Sequence, residues 1–184
     1  MPEKLKSVVY FLDNHEWINT VISLIMAASG IYLFFHHTAS IYELFIMVGL
    51  FAILKGFLNF NTFFIIETIN KHNKQKNMFL IGALVNIFIG TLIILNIITN
   101  PLSLLIITSV WMIIDSIPYL VYVLKKRLGQ QYKINPYKIT FSLILVCSII
   151  TIVSHYTLIF GPAIPMGCFL LLASTNILLF QREH

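Results

Sequence analysis

Charge is scarce in this chain. Of its 184 residues only 10% are Asp, Glu, Lys or Arg, while 58% are hydrophobic. A soluble domain that grips nucleic acid carries a dense cationic face on a polar surface, so the formal net charge of +5 does not point to nucleic acid. Cysteine is scarcer still. Cys147 and Cys168 are the only two, both inside apolar runs and without CxxC spacing, and they are expected to pack as small apolar side chains. The motifs of catalysis are also missing: there is no GxxxxGK, no GxGxxG, no HExxH and no nucleophile elbow. No carboxylate pair falls at helical spacing within the apolar runs to suggest hydrolysis. An enzyme is not expected, and no cofactor or metal is implied.

What the chain has instead is length of apolar sequence. Runs at about 17–35, 41–63, 78–97, 102–124, 138–156 and 162–180 each hold 19 to 23 residues, the aromatic share is 14%, and the mean hydropathy is +0.88. At 1.5 Å rise per residue such runs cross a hydrocarbon core of about 30 Å. The expectation is six membrane spans in one domain over residues 17–184. Ahead of it, residues 1–16 hold Val8, Val9, Phe11 and Leu12 among charges, the pattern of a short amphipathic helix at the interface. Lys4, Lys6 and the Ala27-Ala28-Ser29 triplet imitate a cleavable signal. However, the apolar run continues through Phe35, and Glu3, Asp13 and Glu16 stand where a basic leader belongs, so a retained first helix is expected.

The few charges are sorted. Lys4 and Lys6, then Lys71, Lys74 and Lys76, then Lys125, Lys126, Arg127, Lys133 and Lys138, and finally Arg182 all fall on one side of the six spans. The alternate connections, residues 36–40, 96–101 and 156–161, contain no Lys or Arg. This asymmetry places both termini in the cytoplasm. The expected partner of the basic surface is a bilayer with anionic headgroups, at about 1 kcal/mol per juxtamembrane cation.

A repeat runs beneath the hydropathy. Gly30 and Gly90 lie 60 residues apart late in odd-numbered spans, and Pro101 and Pro162 lie 61 apart at the start of even-numbered ones. Proline is tolerated there because the first helical N–H needs no partner. The units are about 17–66, 77–124 and 138–181. Two spans return the chain to its starting side, so the copies are parallel, unlike the inverted repeats of many transporters. The fold expected is all-α and polytopic, with three parallel helical hairpins. This hairpin pattern, carried by Gly30, Gly90, Pro101 and Pro162, resembles the HdeD-like family of bacterial acid-resistance membrane proteins over nearly the whole chain. Thr151 and Ile41 depart from it, standing where a third Gly and a first Pro would be. The resemblance implies a six-helix inner-membrane protein serving acid or envelope stress tolerance, and it supplies no catalytic residues.

The same register aligns Lys55, Asp115 and Asn176 in spans two, four and six, 60 and 61 residues apart. An unpaired Lys or Asp near the centre of a membrane helix costs about 2.5–3.5 kcal/mol, so a meeting of Lys55 with Asp115 would offset part of that. The layer is a candidate register pin or a candidate ion or proton pathway, and a third alternative is that the three side chains make no contact at all. Asn59, Thr62, Trp111, Tyr119 and Tyr122 lie on the same faces, and Pro118 is expected to bend span four beside Asp115. His36, His37 and His155 fall at the outer face. Histidine in general titrates at about pH 6.5, which makes these three candidate pH sensors, or they are ordinary interfacial residues; a metal site would need further ligands at useful spacing. Gly82, Asn86 and Gly90 share one face of span three and predict close helix packing, as do Ser23 with Ala27 in span one. Ser148, Thr151 and His155 mark a contact face on span five. The functional expectation is a non-enzymatic stress-tolerance protein. A small channel or transporter and an accessory subunit of a membrane complex are the alternatives, with a homo-oligomer or membrane partner left open.

Overall fold

The described residues form six α-helices: α1 (Glu16–Phe35), α2 (Ile41–Ile69), α3 (Lys76–Ile94), α4 (Pro101–Lys126), α5 (Pro136–Val153) and α6 (Ala163–Arg182). They come from a computed structural model, which describes residues 16–36, 40–69, 76–97, 99–126, 136–154 and 161–182. The interfacial helix expected before residue 16, His37 and His155 lie outside the described residues.

Local chemistry sets several of the helix ends. At the start of α2, Ser40 N–H donates to Glu43 Oε2 at 3.1 Å and Glu43 N–H donates to Ser40 Oγ at 3.3 Å, a reciprocal capping box. Just past the end of α3, Asn96 has a left-handed φ of 51°, a conformation that asparagine tolerates after a helix C-terminus. A few residues on, Asn100 Oδ1 accepts the N–H of Leu102 at 2.9 Å, with Pro101 at the first helical position. Helix α4 is assigned unbroken from Pro101 to Lys126, with Pro118 inside it.

Five helices are long and apolar enough to cross a membrane, and α6 is the exception, with a shorter apolar stretch, Ala163–Leu179. That helix is polar at Ser174, Thr175 and Asn176, and it turns Met166, Phe169, Leu170, Ala173 and Ile177 inward. A helix sheltered by its neighbours needs less lipid-facing apolar length.

Burial repeats with the sequence register. Helix α1 buries Asn19, Ser23, Met26, Gly30 and Leu33. Helix α3 buries Phe79, Ala83, Asn86, Gly90 and Ile93, and α5 buries Thr140, Ile144, Cys147, Thr151 and Ser154. These are the same five positions shifted by 60 and by 121 residues. They fall at alternating intervals of four and three, which forms a single stripe along each helix. Helices α2 and α4 agree as closely: Leu44, Val48, Phe51, Ala52, Lys55 and Asn59 are buried, and so are Leu104, Thr108, Trp111, Met112, Asp115 and Tyr119. The spans of α2 and α4 are each 56% buried, against 22–33% for α1, α3 and α5. The even-numbered helices therefore form the interior, and the odd-numbered ones pack outside them with one stripe inward.

The hairpins of the sequence are not the tightest pairs in space. Helix α2 packs most extensively on α3, α6 on α1 and α4 on α5, whereas helices within one repeat touch less and α1 scarcely meets α2. Glycine explains two of these interfaces. A Cβ on Gly90 would stand 2.6 Å from the carbonyl oxygen of Gly49, and one on Gly30 would stand 2.7 Å from that of Gly167. Backbones this close maximise dispersion contact, the main attraction between helices in lipid. Most of the buried apolar side chains join one cluster that includes Met26, Phe51, Trp111, Met112, Phe169 and Leu170. A smaller cluster of Ile66, Phe79, Tyr119 and Tyr137 lies nearer the end of the bundle that carries Glu16 and Arg182, called the terminal side below. The opposite end, with Ser40 and Asn96, is the turn side.

Candidate functional site: a charged layer between the inner helices

Lys55 of α2 and Asp115 of α4 form a buried ion pair, each side chain 1% exposed, with Lys55 Nζ donating to Asp115 Oδ2. Each lies 14 residues into its helix, about 21 Å from the turn side at 1.5 Å per residue. The other carboxylate oxygen is also held: Asn86 Nδ2 of α3 donates to Asp115 Oδ1 at 2.8 Å. Asn86 is aimed in turn by Trp111, whose Nε1–H donates to Asn86 Oδ1 at 2.7 Å. The Lys55 ammonium sits 4.9 Å from the centre of the Tyr119 ring, and Tyr119 OH donates to Asn59 Oδ1 at 3.0 Å.

Two of these contacts, Lys55 with Asp115 and Asn59 with Tyr119, join residues 60 apart. Copies of one repeat position meet where the helices that carry them face each other across a common axis. The electrostatics follow from the enclosure. A charge-assisted hydrogen bond is about twice as strong as a neutral one, and a cation over an aromatic face gains about 0.5–2 kcal/mol. Together these contacts offset the cost of bringing both charges into an apolar interior. Toward the turn side the next inner positions are Ala52, Met112 and Ala173 in the main apolar cluster, then Val48, Thr108 and Phe169, where the buried Thr108 hydroxyl has no hydrogen-bond partner.

The expected third member stands slightly apart in its chemistry. Asn176 is buried, and its Oδ1 accepts a hydrogen bond from Thr140 Oγ1 of α5 at 2.7 Å. The face of α3 marked by Gly82, Asn86 and Gly90 serves two neighbours. Gly90 meets α2, Asn86 bonds α4, and a Cβ on Gly82 would meet Asn59 Nδ2 at 3.2 Å and Pro118 Cγ at 3.4 Å. Ser148 and Thr151 are buried on α5, bonded to carbonyls one turn back in their own helix. Of the histidines, His36 is exposed at the turn side and stacks on Tyr32 with ring centres 4.0 Å apart. The side chain of Tyr122 lies outside the described residues.

Sequence reasoning placed Asn86 among packing residues and missed that it joins Trp111 to the ion pair. A signal for the Asn59–Tyr119 contact was present, since the two hold the same repeat position. Chemically, the layer can hold α2, α3 and α4 in one register.

Fold and site together define a multi-pass α-helical membrane protein with a charged pair enclosed among its inner helices. Compared with family models, curated proteins and solved structures, the chain matches none.

Proposed function

We propose that the chain is a non-enzymatic protein of the bacterial cytoplasmic membrane, of the HdeD-like kind, that supports tolerance of acid or envelope stress with both termini in the cytoplasm. One observation carries this reading. The Lys55–Asp115 pair is enclosed, and each carboxylate oxygen is occupied by a donor from a different helix. Charges arranged this way fasten a bundle together. They also tie its integrity to protonation, because a proton on Asp115 removes the attraction for Lys55. The test is survival of a strain lacking the protein after an acid challenge. A defect rescued by the wild-type gene, and not by Asp115→Asn at equal membrane abundance, is the expected result; survival equal to the parent strain overturns the reading.

A second reading, a small channel or transporter, is favoured by one observation. The side-chain nitrogen of Asn59 is buried beside the pair without a hydrogen-bond partner, a donor that a polar solute or ion could use. Proton, ion or small-solute flux in reconstituted vesicles, lost in folded Asp115→Asn, would put that reading first.

A further inference from the structure

At the turn side, where α2, α3 and α4 come together, lies a cavity of about 190 Å³. Its walls are Tyr42, Phe45 and Ile46 of α2, Ile93 and Ile94 of α3, and Leu104 of α4. Asn96 also lines it and, like Tyr42, is exposed, so these two polar side chains stand at the mouth. None of the lining residues carries a formal charge. The repeat shows how the same place is filled elsewhere. At the α6–α1 interface the positions of Ile46 and Ile94 are held by Gly167 and Phe34. There Phe34 Cε2 lies 3.6 Å from where a Cβ on Gly167 would stand, so an aromatic ring takes up the space that two isoleucines leave open between α2 and α3.

A polar group waits beneath the cavity. Thr108 is one turn deeper on α4, about 6 Å beyond Leu104. It is fully buried, and its Oγ1 has no hydrogen-bond partner. Residues four apart share a helix face, and the Cα–Cβ bond tilts toward the helix N-terminus, which for α4 is the turn side. The Thr108 side chain therefore leans toward the cavity floor. Other buried hydroxyls turn back onto the carbonyl four residues earlier in their own helix, as Ser23, Thr62, Ser109, Ser148 and Thr151 do at 2.7–3.0 Å. Thr108 does not use the Leu104 carbonyl at that same offset. A hydroxyl left unpaired in an apolar interior is costly.

We propose that this cavity binds a small neutral phenol, with its ring among Phe45, Ile93 and Leu104 and its hydroxyl bonded to Thr108 Oγ1. Volume sets the size, since an apolar cavity of about 150 Å³ takes up benzene and this one has room for a ring with a short substituent. A charged ligand would lose its hydration with no counterion in the walls. A plain hydrocarbon or a lipid acyl chain would leave Thr108 unpaired. Phe45 offers a ring the face or edge contact that aromatic pairs prefer. The mouth opens at the end of the spans, the depth where amphipathic rings settle in a bilayer.

The experiment uses the purified full-length chain in lipid nanodiscs, with para-fluorophenol as probe and its fluorine resonance compared with that in nanodiscs without protein. Wild type is expected to give a saturable bound signal. Ile94→Phe, which copies Phe34, is expected to abolish it. Thr108→Val keeps the shape and removes the hydroxyl; it is expected to weaken para-fluorophenol about three- to tenfold and to bind fluorobenzene as wild type does. Three results overturn the proposal: a wild-type signal no different from protein-free nanodiscs, full binding by folded Ile94→Phe, or para-fluorophenol held by Thr108→Val as tightly as by wild type. The last arm changes no volume, so it decides the matter even where Ile94→Phe does not fold. No readout depends on acid tolerance or flux.

Discussion

In the second repeat Asp115 binds Lys55 and Asn86, and Trp111 holds Asn86 in place. At the same positions of the third repeat stand Asn176, Cys147 and Leu172, and the bond at Asn176 is a neutral one from Thr140. Backbone positions and burial recur, while the chemistry does not. The reason is electrostatic. Three like charges brought toward one axis would repel in a medium that screens poorly. One cation, one anion and one neutral amide at Lys55, Asp115 and Asn176 avoid that. A duplicated helical unit can thus supply the frame, but the interior must break its own symmetry to carry charge. The contrast also divides labour: the second repeat supplies a charged lock to α2 and α3, and the third closes on neutral contacts.

The comparison breaks most sharply at the charge. Asp115→Asn leaves the Lys55 ammonium buried without its counterion, and a loss of about 3–5 kcal/mol is expected for breaking such a pair. It would be read as a large fall in the thermal midpoint of the detergent-solubilised protein. Adding Lys55→Met to an Asp115→Leu chain should recover most of that fall, since two apolar residues of similar size replace an ion pair at little cost. A double variant no better than the single one would show that the pair does more than balance charge. Next in size is Asn86→Leu, which strands one Asp115 oxygen and the Trp111 indole N–H; about 1–3 kcal/mol is expected, with a shifted Trp111 emission in a Trp17→Phe background. The smallest change is Thr140→Val in the third repeat. It removes one neutral bond to Asn176, for which about 0.6 kcal/mol is typical inside a membrane bundle. If Thr140→Val cost as much as Asn86→Leu, the two repeats would not differ in the way described.

Much of this was legible along the chain. Gly30 with Gly90, Pro101 with Pro162, and the spacing of Lys55, Asp115 and Asn176 set a register that the burial of α1, α3 and α5 follows position by position. That register made a meeting of Lys55 with Asp115 a candidate, with the cost of leaving either alone in its favour, and the tertiary structure supplies the contact. The lateral partners were not legible. Connectivity suggested that each helix packs on its hairpin neighbour, yet α2 prefers α3 and α6 prefers α1. Asn86 looked like an interface residue of no particular target.

Six apolar helices, their alternating direction, the stripe each odd-numbered one buries and the charges that must find partners were determined by the sequence itself, because each depends on spacing within a helix or on a local excess of charge. Which helix lies beside which and where Asn86 points were decided only by the tertiary structure. In lipid an apolar face suits a neighbouring helix and an acyl chain alike, so hydropathy does not name the partner. The close backbone contacts at Gly49–Gly90 and Gly30–Gly167, together with the buried bonds among Lys55, Asp115 and Asn86, select one arrangement from many of similar hydrophobicity.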